Sequence, residues 1–229
     1  MRDSPAREAP GWYGKLSALG DFAQRRLPPE FIRFTDAWLS RSLQASREQL
    51  GSAWLEAYLT APLLRFAWAP GIAGPAWWFG VLMPSCDNVG RYFPLLIAQP
   101  RSKPPLDRIA LDHLELWFDH LAGAATQTLA ERASVDAFEA ALADAPPWPT
   151  PATRAALVAH GDPASARYRL GAGASLHPWL QALAAEQLQA RFAGCSVWWR
   201  EGRAGHDTLA AVVEGLPEPG AFAELLVPR

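Results

Sequence analysis

The apolar positions of the chain recur with two different periods. From Phe31 onward, Phe31, Phe34, Trp38, Leu39 and Leu43 return in steps of three and four, with Arg33, Asp36 and Arg41 off the stripe. That spacing predicts an amphipathic helix. Pro28-Pro29 marks its start, and the pattern carries it to about Leu50. A second helical segment spans Trp54 to Tyr58 and stops before Pro62. Leu111, Leu114, Trp117, Phe118, Leu121, Ala125 and Leu129 draw one face of a helix predicted over 107–130, with Asp112, Glu115 and Asp119 on the other face. Further helices are predicted over 134–143, 176–192 and Phe222 to Leu226.

The remaining apolar runs are short, aromatic and bounded by proline or glycine, which reads as strand. LLRFAWA (63–69) and AWWFGVLM (76–83) form a hairpin across the PGIAGP turn, and YFPLLIAQ (92–99) supplies a third strand. Its Pro94 confines that strand to a sheet edge or to a strand start. CSVWWR (195–200) and TLAAVVE (208–214) add two more, and WYGKL is a short strand ending at the turn around Gly20. SALGDFAQRR reads as a polar loop beside an apolar helix. Residues 1–10 read as a disordered lead-in and PPWPTP (146–151) as a linker. The segment after it holds strand signal without a self-sufficient core. Residues 11–229 are therefore expected to form one domain whose late strands join the earlier sheet, with 146–151 as the place of any subdivision.

Composition narrows the function mainly by exclusion. Half of the 229 residues are hydrophobic, 11 are Trp and 10 are Phe, and the formal net charge is −2. Nucleic-acid binding requires a basic surface to neutralise phosphates, so none is expected. The apolar runs fall short of the roughly 20 residues of a membrane helix, and MRDSPAREAPG has no signal-peptide core. No membrane insertion is expected, and the expected location is the cytoplasm. Cys86 and Cys195 show neither CxxC nor zinc spacing and read as reduced thiols.

Candidate cofactor chemistry fails on spacing. A phosphate loop needs GxxxxGK, and the two lysines, Lys15 and Lys103, do not fit it. LGAGAS (170–175) has two glycines of a dinucleotide fingerprint without the third and reads as a turn. His113 and His120 stand about 10.5 Å apart along a helix, too far to share one ion. Asp112, Glu115 and Asp119 read as a solvated acidic face, His160 is isolated, and His206 beside Asp207 reads as a surface loop pair. No cofactor is expected.

MPSCDNVGRYFPLL (83–96) places a polar knot between two apolar runs. Pro84 ends a strand, Ser85 and Asp87 are suited to bond backbone amides, and Gly90 relaxes the backbone before the next strand. Ser85 or Cys86 could instead be a nucleophile with Asp87 beside it, but an elbow for that purpose reads GxSxG, and MPSCD lacks the glycines. Arg91 has two readings. Its guanidinium could fork onto an internal carboxylate, with Asp21 of LGDF the attractive partner; alternatively Arg91, Arg25 and Arg26 meet a partner's acidic or phosphorylated surface.

GKLSALGDF (14–22), RRLP (25–28), DAWL (36–39), PSCDNVGRYFPL (84–95) and SVWW (196–199) together resemble the TagF family, accessory proteins of bacterial type VI secretion, with motifs extending from Trp12 to Phe222. The family usually carries proline where Ser17 stands, a change expected to alter the turn while leaving Lys15, Gly20 and Asp21 in place. Some relatives carry a fused protein phosphatase; none is read in this sequence. The resemblance implies an α/β fold, a three-layer α/β/α sandwich with a mixed, largely antiparallel sheet flanked by helices. It also implies a non-catalytic regulator that represses assembly of the secretion apparatus by sequestering a scaffold protein bearing a forkhead-associated domain. The residues so marked as structural or partner-binding are Lys15, Gly20, Asp21, Arg25, Arg26, Ser85, Asp87, Gly90 and Arg91. A small hydrolase or transferase using the 83–91 loop is the alternative, and a structural subunit of the secretion machine is a third reading.

Overall fold

The apolar runs pair into a seven-stranded sheet, and the helices cover both of its faces. The computed structural model describes residues 9–102, 104, 108–149, 159–160, 167–168, 176–200 and 209–226. In chain order the elements are β1 (Gly11–Gly14), β2 (Ala23–Arg25), α1 (Pro29–Leu50), α2 (Trp54–Thr60), β3 (Leu64–Trp68), β4 (Trp77–Met83), β5 (Leu95–Arg101), α3 (Arg108–Gln127) and α4 (Val135–Ala143). There follow β6 (Ala159–His160), β7 (Arg167–Tyr168), α5 (Leu176–Phe192), β8 (Cys195–Arg200), β9 (Leu209–Glu214) and α6 (Phe222–Leu226). The sheet order is β2-β1-β5-β4-β3-β8-β9, and β6 pairs with β7 separately. Every neighbouring pair of strands is antiparallel; among the described residues a parallel contact survives as the isolated bridge of Cys195 with Gly215.

Strand side chains alternate between the two faces, and this alternation sorts the rings into two cores. Leu64, Phe66 and Trp68 of β3, Trp78 and Leu82 of β4, Leu96 of β5 and Trp198 of β8 pack with Phe31, Trp38, Leu39 and Leu43 of α1. On the opposite face, Trp77, Phe79, Val81 and Met83 of β4 with Leu95 and Ile97 of β5 meet Leu114, Trp117, Phe118 and Leu121 of α3 and Phe138 and Leu142 of α4. The result is the three-layer α/β/α arrangement. A fully buried ring such as Trp68 contributes roughly 1.5–3 kcal/mol relative to an exposed one.

Three local expectations need correction, and a fourth, for Pro94, is met in one of its two forms. Residues 23–25 of the predicted polar loop form β2, which pairs with β1 in the register Trp12 with Arg25 and Gly14 with Ala23. A three-residue strand is too short to show a period. Pro94 stands immediately before β5, at a strand start as expected, and β5 itself lies inside the sheet between β1 and β4; the missing N–H precedes the ladder and costs it nothing. Leu111 and Leu129 are about half exposed, and Ala110 and Ala124 take up the buried face of α3 instead. Leu129 lies beyond the helix end. The acids Glu115 and Asp119 do more than face solvent, because they receive the buried Arg65 of β3 at 2.7 and 2.6 Å.

The end of β1 is forced against the start of β5. Gly14 has φ 135°, and a Cβ there would lie 2.1 Å from the carbonyl oxygen of Pro94. Only glycine permits this approach. It brings the segment after β1, beginning at Lys15, onto the polar loop between β4 and β5.

Candidate functional site

Two loops meet at this junction, residues 15–22 after β1 and residues 84–94 between β4 and β5. Backbone bonds join them: Asn88 N–H donates to Leu19 O at 2.9 Å, and the second loop closes on itself through Asp87 N–H to Arg91 O at 3.1 Å and Gly90 N–H to Asp87 O at 3.1 Å. Gly90 sits at φ 80°, in the left-handed region where a Cβ is disfavoured. The Ser85 hydroxyl donates to Lys15 O at 2.8 Å, while Ser85 O accepts from the Tyr58 hydroxyl at 2.9 Å and Ser85 N–H donates back to that oxygen at 3.0 Å. Burial pushes the Tyr58 hydroxyl above its usual range, against the opposing bond to Ser85 O, so it stays protonated.

Asp87 is the hub. Its side chain is 0% exposed, and Oδ2 accepts from Lys15 Nζ at 2.5 Å, Lys15 being itself buried. The same oxygen accepts from Arg91 Nε at 2.7 Å, and Oδ1 accepts from the backbone N–H of Val89 at 3.1 Å and of Arg91 at 2.8 Å. Burial alone would push this carboxyl up; the bonds from Lys15, Arg91 and Val89 outweigh it and hold Asp87 well below the usual carboxylate range. Arg91 continues outward, with Nη2 donating to Gly20 O. Asp21, the partner expected from sequence, stands 3.8 Å from that nitrogen, with both side chains mostly in solvent. The carboxylate that the Arg91 guanidinium bonds is therefore Asp87, four residues earlier, and it does so through Nε alone. Lys15 Nζ also lies 4.5 Å from the centre of the Phe22 ring, and Ser17 donates to Thr128 O beyond the end of α3.

Lys15, Gly20, Asp21, Ser85, Asp87, Gly90 and Arg91 thus come together, whereas Arg25 and Arg26 do not join them. Arg26, at φ 60°, reaches Glu139 of α4 through Nη1 to Oε2 at 2.6 Å and Nη2 to Oε1 at 3.1 Å. Arg25 stands 3.5 Å from the same carboxylate, and the indole of Trp12 donates to Oε1. Partial burial raises the Glu139 carboxyl, but the bonds from Arg26 and Trp12 and the charges of both arginines win and hold it below its ordinary value.

The sequence model of the TagF N-terminal domain, type VI secretion system-associated, matches residues 11–145, more than half of the chain. The chain belongs to the TagF family. The crystal structure of PA0076 from Pseudomonas aeruginosa PAO1 is similar to it with a TM-score of 0.78 and 37% identity, over 96% of this chain and 95% of that one. No curated protein matches.

In this TagF-family chain both loops carrying the family-like motifs lie within the matched region, and their polar atoms are committed to each other. Ser85 spends its hydroxyl hydrogen on Lys15 O, and Asp87 receives four donors. Sequence reasoning missed Tyr58, Asn88, Glu139 and the acceptors of Arg65. Tyr58 falls in a segment read only as helix, and a single Glu on α4 looks like any solvated position. Among the described residues no group of three or more His, Cys, Asp or Glu side chains is placed to hold a metal ion, and no helix is long and apolar enough to cross a membrane. His120 is spent on packing, its Nε2 donating to Ala141 O at 2.6 Å. The LGAGAS segment and the His206–Asp207 pair lie outside the described residues, as do residues 1–8 of the lead-in and 150–151 of the linker.

Proposed function

We propose that this TagF-family chain is a cytoplasmic, cofactor-free regulator that represses type VI secretion by binding and sequestering a scaffold protein with a forkhead-associated domain. The family match across residues 11–145 carries the reading. Residues 11–229 act in it as one unit. Sequestration needs no bond-making: a preference of about 2.8 kcal/mol for the repressed complex over the productive one changes occupancy about a hundredfold.

The geometry supports a division of labour among the motif residues. Lys15, Gly20, Ser85, Asp87 and Gly90 hold the two loops in one shape, and the rim they support, with Val89 66% exposed and Arg91 and Asp21 in solvent, is the face offered to the scaffold. Arg25 and Arg26 stabilise the neighbouring β2 edge through Glu139. Commitment of the Ser85 and Asp87 polar atoms to internal bonds favours this reading over a hydrolase or transferase acting through the 83–91 loop.

The test is capture of the purified scaffold by the purified chain, alongside a secretion assay. The wild-type chain is expected to bind and to repress, and Val89→Asp to lose both while melting at the wild-type temperature. Absence of wild-type binding, or turnover of a small substrate that disappears on replacing Ser85 or Asp87 in a folded chain, would sink the proposal.

A further inference from the structure

The two edges of the sheet are built differently. β2 has three residues, Ala23, Gln24 and Arg25, and is followed by Arg26 in the left-handed region and by Pro28-Pro29. Shortness, charge and proline are the usual means of blunting an edge against further pairing. β9 is neither short nor interrupted by proline, and its one charge, Glu214, stands at its last position. It runs for six residues, LAAVVE, without Lys, Arg or Pro, and occupies the outer position of the sheet. Val212 is 51% exposed, and Ala210 and Glu214 are exposed beside it.

The phase of the ladder decides which backbone groups are open. Gly215 N–H donates to Gly194 O at 2.8 Å, extending a register in which Cys195 stands opposite Glu214, Val197 opposite Val212 and Trp199 opposite Ala210. In an antiparallel pair, hydrogen-bonded and non-bonded residue pairs alternate. Residues 209, 211 and 213 therefore exchange bonds with β8, and Ala210, Val212 and Glu214 direct their N–H and C=O groups away from the sheet. Among the described residues nothing accepts or donates to them.

We propose that β9 is a self-association edge, and that its occupant is β9 of a second copy of this chain, paired antiparallel about a two-fold axis through Val212. In that register Val212 meets Val212 and Ala210 meets Glu214 in both directions, so the three outward-facing residues of each strand satisfy one another with about six backbone bonds. Centring the axis on Ala211 instead would set Glu214 opposite position 208, beyond the end of β9. Charge agrees with the same choice. The two Glu214 carboxylates fall at opposite ends of the pair, each opposite an alanine, and no like charges face each other. On the face shared with α3, Val197 and Val212 of one copy continue into Val212 and Val197 of the other as an unbroken apolar strip. The pairing would join two seven-stranded sheets into one. It does not depend on the proposed regulatory role and leaves the 15–22 and 84–94 loops, at the other end of the sheet, free.

Light scattering on the full chain, over protein concentrations from roughly 1 μM to 1 mM, reads the association directly, and the wild type is expected to shift from one chain mass to two. Val212→Lys places two ammonium groups face to face and is expected to raise the dimer dissociation constant at least about tenfold. Val212→Pro removes an N–H that the ladder to β8 does not use, and is expected to give a folded monomer. Register is read by cysteine cross-linking: paired residues of this kind have Cα atoms about 5.5 Å apart, within disulfide reach. Val212→Cys should form a covalent dimer under mild oxidation and Val213→Cys should not, with the wild type controlling for Cys86 and Cys195. A chain that stays monomeric throughout, a dimer indifferent to Val212→Lys in a folded protein, or cross-linking at 213 in place of 212 overturns the proposal. So does a monomer whose β9 pairs only with a foreign strand.

Discussion

Asp87 and Glu139 each gather two cations, yet their surroundings differ. Asp87 is enclosed, its side chain 0% exposed, and one of its cations, Lys15, is buried with it. Glu139 remains 16% exposed, and its arginines reach it from the surface. Around Asp87 the two loops are also tied by backbone bonds, whereas the two cations at Glu139, Arg25 and Arg26, can swing into water. A charge pair of the first kind must stay complete, because a lone buried charge is costly. The second kind can be loosened, since water replaces what is lost.

The largest effect should come from opening the enclosed centre. Lys15→Ala removes the buried cation but leaves Asp87 its bonds from Arg91 and Val89, and is expected to cost about 1.5–3 kcal/mol, lowering the melting temperature by roughly 3–12 °C for a chain of this size, as read by calorimetry. A loss no greater than that of a surface substitution would mean that Asp87 has found water, and the contrast would collapse. Glu139→Gln keeps the shape and part of the bonding to Arg26 and Trp12, so a smaller loss of about 1–2 kcal/mol is expected.

Acid titration sharpens the same contrast. Both carboxyls have folded pKa values below their unfolded ones, so each contributes stability that is present above the ordinary carboxylate range near pH 4 and is lost as pH falls through and below it. Asp87→Asn should flatten the acid limb of the stability curve more than Glu139→Gln does, because Asp87 is held lower. Equal flattening would show that enclosure adds nothing. The smallest effect belongs to Asp21→Asn, whose 3.8 Å contact with Arg91 lies in solvent; a change within about 0.5 kcal/mol is expected by denaturant unfolding.

Most of the Asp87 centre was legible in the sequence and the Glu139 centre was not. Asp87, Gly90 and Arg91 fall within one turn, where short polar side chains and glycine act on their own neighbours. Even there the nearer partner of Arg91 was missed: Asp21 does stand 3.8 Å from it in solvent, but Asp87 takes the short bond at 2.7 Å. Asp21 and Asp87 are equally plausible on chemistry, and only the folding of the loop around Asp87 excludes water from one of them. Glu139 stands 113 residues from Arg26. On a helix of alternating small and acidic residues it gives no sign that two arginines and an indole converge on it. Arg65 was hidden likewise, inside a strand that otherwise reads as apolar, because its acceptors Glu115 and Asp119 looked like an ordinary solvated face.

By itself the sequence determined the elements and the two-sided character of the sheet, because helical and strand periods, proline and glycine act over a few residues and declare which faces must be buried. The tertiary structure alone decided the strand order, the inclusion of β2, the interior place of β5 and the pairing of each buried charge. These depend on which surfaces approach across the whole chain, where burial summed over many side chains outweighs any local preference and water is excluded only after the layers have closed.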